Sequence, residues 1–191
     1  MKNGLLIVCF LISFTSFSQE KKLEKEERIK ASGVPDAVKS LIAPYTEGAR
    51  RVRYYSEFNG TTKSFEVKFV LYKNHFSVEF SKDGQLEDVE VIRCFTELPK
   101  NVQDEIVKYL YPNDNFKIKK NQKQFLSKKI PDSEVLDAAI KNQDITKIRY
   151  ELIVQIKKEG EWTTFEMLFD EDGKFVSQRE VIDRSEDHLL Y

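Results

Sequence analysis

With 31 basic and 32 acidic side chains among 191 residues, the chain carries a formal charge of −1, so no charge excess drives it onto nucleic acid or an anionic membrane surface. Its two cysteines, Cys9 and Cys94, and two histidines, His75 and His188, are too few for a disulfide framework or a clustered metal-ligand motif.

Residues 1–18 have the three parts of a secretory signal: Lys2 as the positive region, Leu5 to Ile12 as the apolar run, and Ser16-x-Ser18 as the small-residue cleavage site. Cleavage is expected before Gln19. The apolar run is far shorter than the roughly 20 residues of a membrane span, so the expectation is an exported chain, periplasmic or secreted, with no membrane insertion after cleavage. Cys9 lies inside the apolar run after Val8, which does not suit a lipidation site. Loss of Lys2 would leave a charge of −2 and Cys94 as the sole thiol, so stability must come from a packed core.

Residues 19–32 are densely charged, with Leu23 and Ile29 the only apolar positions from Glu20 to Lys30, and are expected to form a flexible, solvated lead-in. Gly33 breaks the chain, and Pro35 suits a first helical turn, where its missing N–H costs nothing. Val34, Val38, Leu41, Ile42 and Tyr45 then recur at helical spacing, with Pro44 and Gly48 expected to end the helix. Arg50 to Phe58 is expected as a strand. Phe65, Val67, Phe69 and Leu71 alternate with Glu66, Lys68, Val70 and Tyr72, and after a turn at Lys73-Asn74 the alternation resumes through Phe76, Val78 and Phe80. Asp83-Gly84 marks a second turn into a strand from Leu86 to Phe95.

The same order then recurs. Val34-Pro35-x-x-Val38-x-x-x-Ile42-x-x-Tyr45 matches Leu98-Pro99-x-x-Val102-x-x-x-Ile106-x-x-Tyr109 at a constant offset of 64, and the later Phe80-x-x-Asp83-Gly84 matches Phe169-x-x-Asp172-Gly173. The distance from helix proline to the aromatic-Glu-aliphatic strand is 30 residues in the first copy (Pro35 to Phe65) and 51 in the second (Pro99 to Tyr150), which leaves 21 extra residues. Pro131 to Asn142 accounts for most of them, with Val135, Leu136, Ala139 and Ile140 at helical spacing. The division is a first repeat at 33–97, a second at 98–183 with an insert at about 122–146, and a tail at 184–191. The fold class is α+β: two tandem helix-plus-antiparallel-sheet repeats, each sheet with one helix-covered face and one open face, plus the inserted helix.

The tandem VPDAV and LPKNV helix starts, the FEVKF and YELIV strands, and the FSKDG and FDEDG turns resemble PepSY-like periplasmic proteins, which in turn resemble the fold of the β-lactamase-inhibitor protein. The similarity spans roughly residues 33 to 182. It implies a sheet face presented to a protein partner and implies no catalytic residues.

Reactive chemistry lacks a signature: no H-x-x-x-H, C-x-x-C or G-x-S-x-G spacing occurs. His75 and His188 read as turn and tail residues, and Cys94, between Ile92 and Phe95, as a small buried hydrophobe. Asp170-Glu171-Asp172-Gly173 has the look of a calcium-loop start, but Lys174-Phe175-Val176 follows where a bidentate carboxylate is needed, so turn chemistry is the better reading. Arg50, Arg51 and Arg53 beside Tyr54 and Tyr55 form a basic-aromatic stretch, while Lys117, Lys119, Lys120, Lys123, Lys128 and Lys129 form an acid-free run suited to blunting a sheet edge. Either set could instead meet an acidic surface on a protein or envelope polymer.

If the helices cover Tyr150, Leu152, Val154, Phe165, Met167 and Phe169, the opposite face of those strands carries Ile153, Trp162, Thr164 and Leu168, and either the inserted helix or a partner covers it. Trp162, Ile153 and Leu168, with Tyr72 and Tyr54 on the first half, are therefore the candidate partner-binding residues; no catalytic, cofactor or metal residue is assigned and no cofactor is expected. The functional expectation is an exported, non-enzymatic module that recognises, and inhibits or senses, another cell-envelope protein. A structural or folding-accessory role without a dedicated target and an unrecognised hydrolase are the competing readings.

Overall fold

A computed structural model describes residues 21–22, 24–59, 62–113, 115–127 and 130–181. The expected signal at 1–18, the tail at 184–191, His188 and Lys128-Lys129 lie outside the described residues.

Each helix starts directly after a proline with extended ψ. Pro35 precedes α1 (Asp36–Thr46), Pro99 precedes α2 (Lys100–Leu110) and Pro131 precedes α3 (Asp132–Lys141). The ring holds φ where a helix begins, and it withholds an N–H that would have no partner in the first turn. α1 buries Val38 and Ile42, α2 buries Val102, Ile106 and Leu110, and α3 buries Val135, Leu136, Ala138 and Ala139. α1 runs through Pro44 to Thr46 instead of stopping there, because the hydrogen bond the proline lacks falls within the last turn.

The strands are β1 (Lys21–Lys22), β2 (Glu24–Ile29), β3 (Arg50–Asn59), β4 (Thr62–Leu71), β5 (Asn74–Ser81), β6 (Leu86–Ile92), β7 (Phe116–Leu126), β8 (Ile148–Lys158), β9 (Glu161–Asp170) and β10 (Phe175–Val181). β2 to β10 form a nine-stranded open antiparallel sheet in the order β10-β9-β8-β7-β6-β5-β4-β3-β2. The two repeats thus share one continuous sheet, joined where β6 pairs with β7 in the register Asp88 with Leu126 and Glu90 with Gln124. The first hairpin turns at Tyr72-Lys73, one residue earlier than Lys73-Asn74. Both residues have positive φ, and Asn74 pairs with Leu71. Two positive φ values in a two-residue loop give the turn whose twist matches that of the strands.

Part of the charged lead-in is a strand and not a flexible segment. Glu24 to Ile29 pair with Asn59 to Tyr54 on β3, so backbone hydrogen bonding and the Lys68–Glu26 ion pair order a segment too polar to bury an apolar face. Just upstream, Lys21 and Lys22 pair in parallel with Glu180 and Val181 on β10. Lys22 and Glu24 can be no more than about 7 Å apart along an extended chain, so the sheet coils until its two outer strands approach at this corner.

β7 lies in the middle of the sheet, so its lysines do not blunt an edge. Lys123 donates to Asn142 Oδ1 at 3.1 Å and pairs with Asp144 at 2.5 Å, and Lys117 sits over Trp162. Cys94 is exposed rather than buried: β6 stops at Ile92, and Cys94 caps a short 3-10 turn at Phe95–Glu97.

All three helices contribute to one core with the Phe65, Val67, Phe69, Phe80, Val89, Phe125, Leu152 and Met167 face of the sheet. The inserted helix therefore shares the face of α1 and α2 and leaves the other face uncovered. Tyr45 at the end of α1 fastens the arrangement by donating to Ser133 O at 3.0 Å and Asp137 Oδ1 at 3.1 Å on α3. Burial, and then Asp137, push its phenol up to about 12. A Tyr45→Phe chain is expected to lose about 1 kcal/mol of stability in urea denaturation at neutral pH. The folded pKa lies above the ordinary tyrosine value, so that contribution is fully present below about pH 10 and disappears as pH rises through about 12.

Candidate functional site

The alternation that sends apolar residues to the helices sends a second set to the uncovered face. Following the register from β3 to β9, that face carries Tyr55 and Glu57; Glu66, Lys68 and Val70; His75, Ser77 and Glu79; Asp88 and Glu90; Lys117, Lys120, Gln122 and Gln124; Arg149, Glu151, Ile153 and Gln155; and Trp162, Thr164, Glu166 and Leu168. Much of it is polar and still buried. Glu66, Ser77, Asp88, Glu90, Gln122, Gln124 and Glu166 are each at most 9% exposed. Buried polar groups need partners, and on this face most find them among one another.

They do so in three clusters. Arg179 donates through Nε to Glu166 Oε1 at 2.6 Å. In the first half, Glu26, Glu57 and Glu66 converge around Lys68, whose ammonium lies 2.8 Å from Glu66 Oε2 and 3.2 Å from Glu26 Oε1, while Ser77 Oγ donates a short hydrogen bond to Glu66 Oε1. Burial alone would push the Lys68 ammonium down, but Glu66 and Glu26 outweigh it and hold its pKa above the usual lysine range. The third cluster is Glu79, Asp88 and Glu90 on β5 and β6, with one carboxylate oxygen of each within 4.8 Å of the other two. Gln122 and Gln124 donate their side-chain amides to the two oxygens of Glu90. Asp88 Oδ1 is buried without a hydrogen-bond partner. Burial first, then the neighbouring carboxylates, push Glu79 and Asp88 well above the usual carboxylate range. Burial also raises Glu90, with Lys120 and Gln124 opposing it.

The five candidate contact residues do not form one patch. Ile153 is 8% exposed between Lys120 and Glu166, and Leu168 is half-buried opposite Glu151. Trp162 is 41% exposed at the start of β9, with Lys117 Nζ 4.4 Å from its ring centroid. Tyr72 is 78% exposed at the tip of the β4–β5 hairpin. Tyr54 faces the other way: it pairs with Val67 and packs against the helix-covered core, so it leaves the candidate set. Tyr72 and Trp162 do share an end of the sheet, because the β4–β5 and β8–β9 hairpins occupy equivalent places in the two repeats and point the same way. Four strand spacings separate the two hairpins, about 19 Å measured along the sheet. Beside Tyr72, a cleft of about 210 Å³ is lined by Arg50, Arg51, Val70, Lys73 and His75, which brings the basic stretch to the same end and places His75 in a strand, half-buried.

The carboxylate clusters were not apparent from the sequence. Their members are single alternating residues on five strands, and each looks like an ordinary solvent-facing position until the register sets Glu79 opposite Asp88 and Ser77 opposite Glu90. The Asp170 turn, by contrast, matches its reading, since Asp170 Oδ1 accepts the backbone N–H groups of Asp172 and Lys174 at 3.0 and 2.8 Å and so closes a turn.

A nine-stranded antiparallel sheet with three helices on one face is the α+β architecture of BLIP-like proteins, those resembling the β-lactamase-inhibitor protein. A BLIP-like protein from Bacteroides fragilis aligns with a TM-score of 0.50 at 12% identity, covering 80% of this chain and 90% of that one. A DUF2874 family protein from Bacteroides uniformis aligns at 0.54 and 13%, covering 80% and 93%, and one from Bacteroides ovatus at 0.53 and 12%, covering 83% and 98%. At such identities the likeness is one of fold. No family model matches the chain, so the PepSY relationship is not shown, and no curated protein matches it. No helix among the described residues is long and apolar enough to cross a membrane.

Proposed function

We propose that this chain is a non-enzymatic, periplasmic module that binds another cell-envelope protein with the hairpin end of its sheet. The observation that carries the reading is the placement of two exposed aromatics, Tyr72 in the turn of the β4–β5 hairpin and Trp162 two residues past the turn of the β8–β9 hairpin, on one end of a sheet whose helices all lie on the other face. Aromatics exposed at a rigid edge suit an interface, because they contribute large contact area at small entropic cost. The basic cleft beside Tyr72 favours a partner surface that is acidic at that point. The fold likeness to a BLIP-like protein supports protein binding, and the resemblance in export signal and repeat pattern supports the periplasm.

Pull-down from envelope extract with the wild-type chain, beside a Tyr72→Ala, Trp162→Ala double variant that keeps its circular dichroism spectrum, tests the reading. A protein retained by the wild type and lost by the variant is the expected result. Equal retention by both, or no protein retained by either, would sink the hairpin-end site.

A further inference from the structure

The two acidic triads on the uncovered face are alike in composition and differ in one respect. In the first, the Lys68 ammonium pairs with Glu26 and Glu66; among the described residues no cationic side chain pairs with Glu79, Asp88 or Glu90. Arg149 and Lys120 bear on the second triad electrostatically, but among the described residues neither makes an ion pair with it. Glu66 and Glu57 add to its negative potential. Glu90 is positioned by two amide donors, Gln122 and Gln124, whereas Asp88, only 9% exposed and a member of the triad, has an oxygen, Oδ1, buried with no hydrogen-bond partner. A buried carboxylate oxygen left without a donor is costly, and polar networks in folded proteins rarely leave one so.

We propose that Glu79, Asp88 and Glu90 bind a hard divalent cation, calcium in preference to magnesium, on the uncovered face of the sheet. All the donors are oxygens, which excludes the softer metals that seek histidine or thiolate. One oxygen from each of the three side chains lies within 4.8 Å of the others, and ligands on opposite sides of a calcium ion are about 4.6–5.2 Å apart, so the three fit within one calcium sphere. Magnesium demands a near-ideal octahedron, which three side chains on two paired strands do not supply. Glu79 is half-buried, so one edge of the triad stays open to water. The inference is independent of the hairpin-end reading, because the triad lies in the body of the sheet and not at its tips.

The test is calcium titration of the purified chain by calorimetry, together with thermal unfolding in calcium chloride, magnesium chloride and EDTA. The expected result is saturable uptake of one calcium per chain and a higher melting temperature in calcium than in magnesium or EDTA. Asp88→Asn is expected to weaken calcium binding by at least about tenfold through loss of one charged ligand, while melting in EDTA no lower than the wild type because it removes a like charge. Glu57→Gln, in the triad that already holds Lys68, is expected to leave calcium affinity unchanged. A wild-type chain with no saturable calcium heat and no calcium-dependent melting overturns the site. Undiminished binding by both Asp88→Asn and Glu90→Gln overturns it equally.

Discussion

A Lys68→Met chain is expected to be about 3 kcal/mol less stable than the wild type, read from the midpoint of urea denaturation at neutral pH. Lys68 is ion-paired to Glu66 and Glu26, and Glu66 is 5% exposed at its side chain, so removing the lysine leaves a buried carboxylate facing other acidic side chains without the ammonium that pairs with it. Breaking a buried pair by removing one partner typically costs about 3–5 kcal/mol. The lower end applies here because the Lys68 side chain keeps 27% of its exposure and water screens part of the charge. The cause is repulsion and not lost packing, so adding Glu66→Gln to Lys68→Met is expected to recover a large part of the loss. A single variant within 1 kcal/mol of wild type, or a double variant no better than the single, would show that the triad does not depend on the lysine. The folded-state pKa of Lys68 is raised, so its contribution is fully present below about pH 10.4 and is lost only as pH rises through the folded value. Across the neutral range the difference between the two chains should therefore not change with pH on account of the lysine.

Gly173→Ala is expected to cost about 2–5 kcal/mol, against about 1–2 kcal/mol for Gly160→Ala, in the same urea measurement. Both glycines have positive φ, +82° and +93°, where an L side chain loses about 1–2 kcal/mol. What separates them is their surroundings. A Cβ on Gly160 meets nothing within 4 Å, whereas one on Gly173 would stand 2.7 Å from Val102 O and 3.1 Å from Val102 Cα, in the first turn of α2. Backbone cannot swing aside as a side chain can, so the helix must shift off the sheet, at an overpacking cost of about 1–3 kcal/mol. Equal effects at the two positions would mean that α2 yields freely.

That pair also explains a motif that looked like turn chemistry alone. Gly84 and Gly173 are the repeated Asp-Gly glycines. A Cβ on Gly84 would meet Pro35 Cβ at 3.1 Å and Val38 Cγ2 at 3.4 Å, just as one on Gly173 would meet Val102. Pro35 and Val38 match Pro99 and Val102 in the repeat, so in each copy the turn glycine lets the chain pass close under the start of that copy's helix. The glycine recurs because of a contact across some 50 to 70 residues, not only because a turn needs it.

Features that depend on local periodicity are legible in the chain before any fold is known. Proline starts and 3.6-residue apolar spacing specify α1, α2 and α3, and two-residue alternation specifies β4, β5, β8 and β9 and the set of residues that enter the core. These signals are legible because each is written in consecutive residues by the burial of one face. The folded arrangement settles what depends on register and on which elements meet. It joined the two halves into one sheet through β6 and β7, made β2 a strand from a segment with almost no apolar residues, and set α3 beside α1 through Tyr45. It also turned Tyr54 into the core and assembled Glu79, Asp88 and Glu90 from two neighbouring strands. An alternating polar residue carries the same local pattern whether water, a lysine or two other carboxylates stand opposite it, and only the pairing of strands sets which one does.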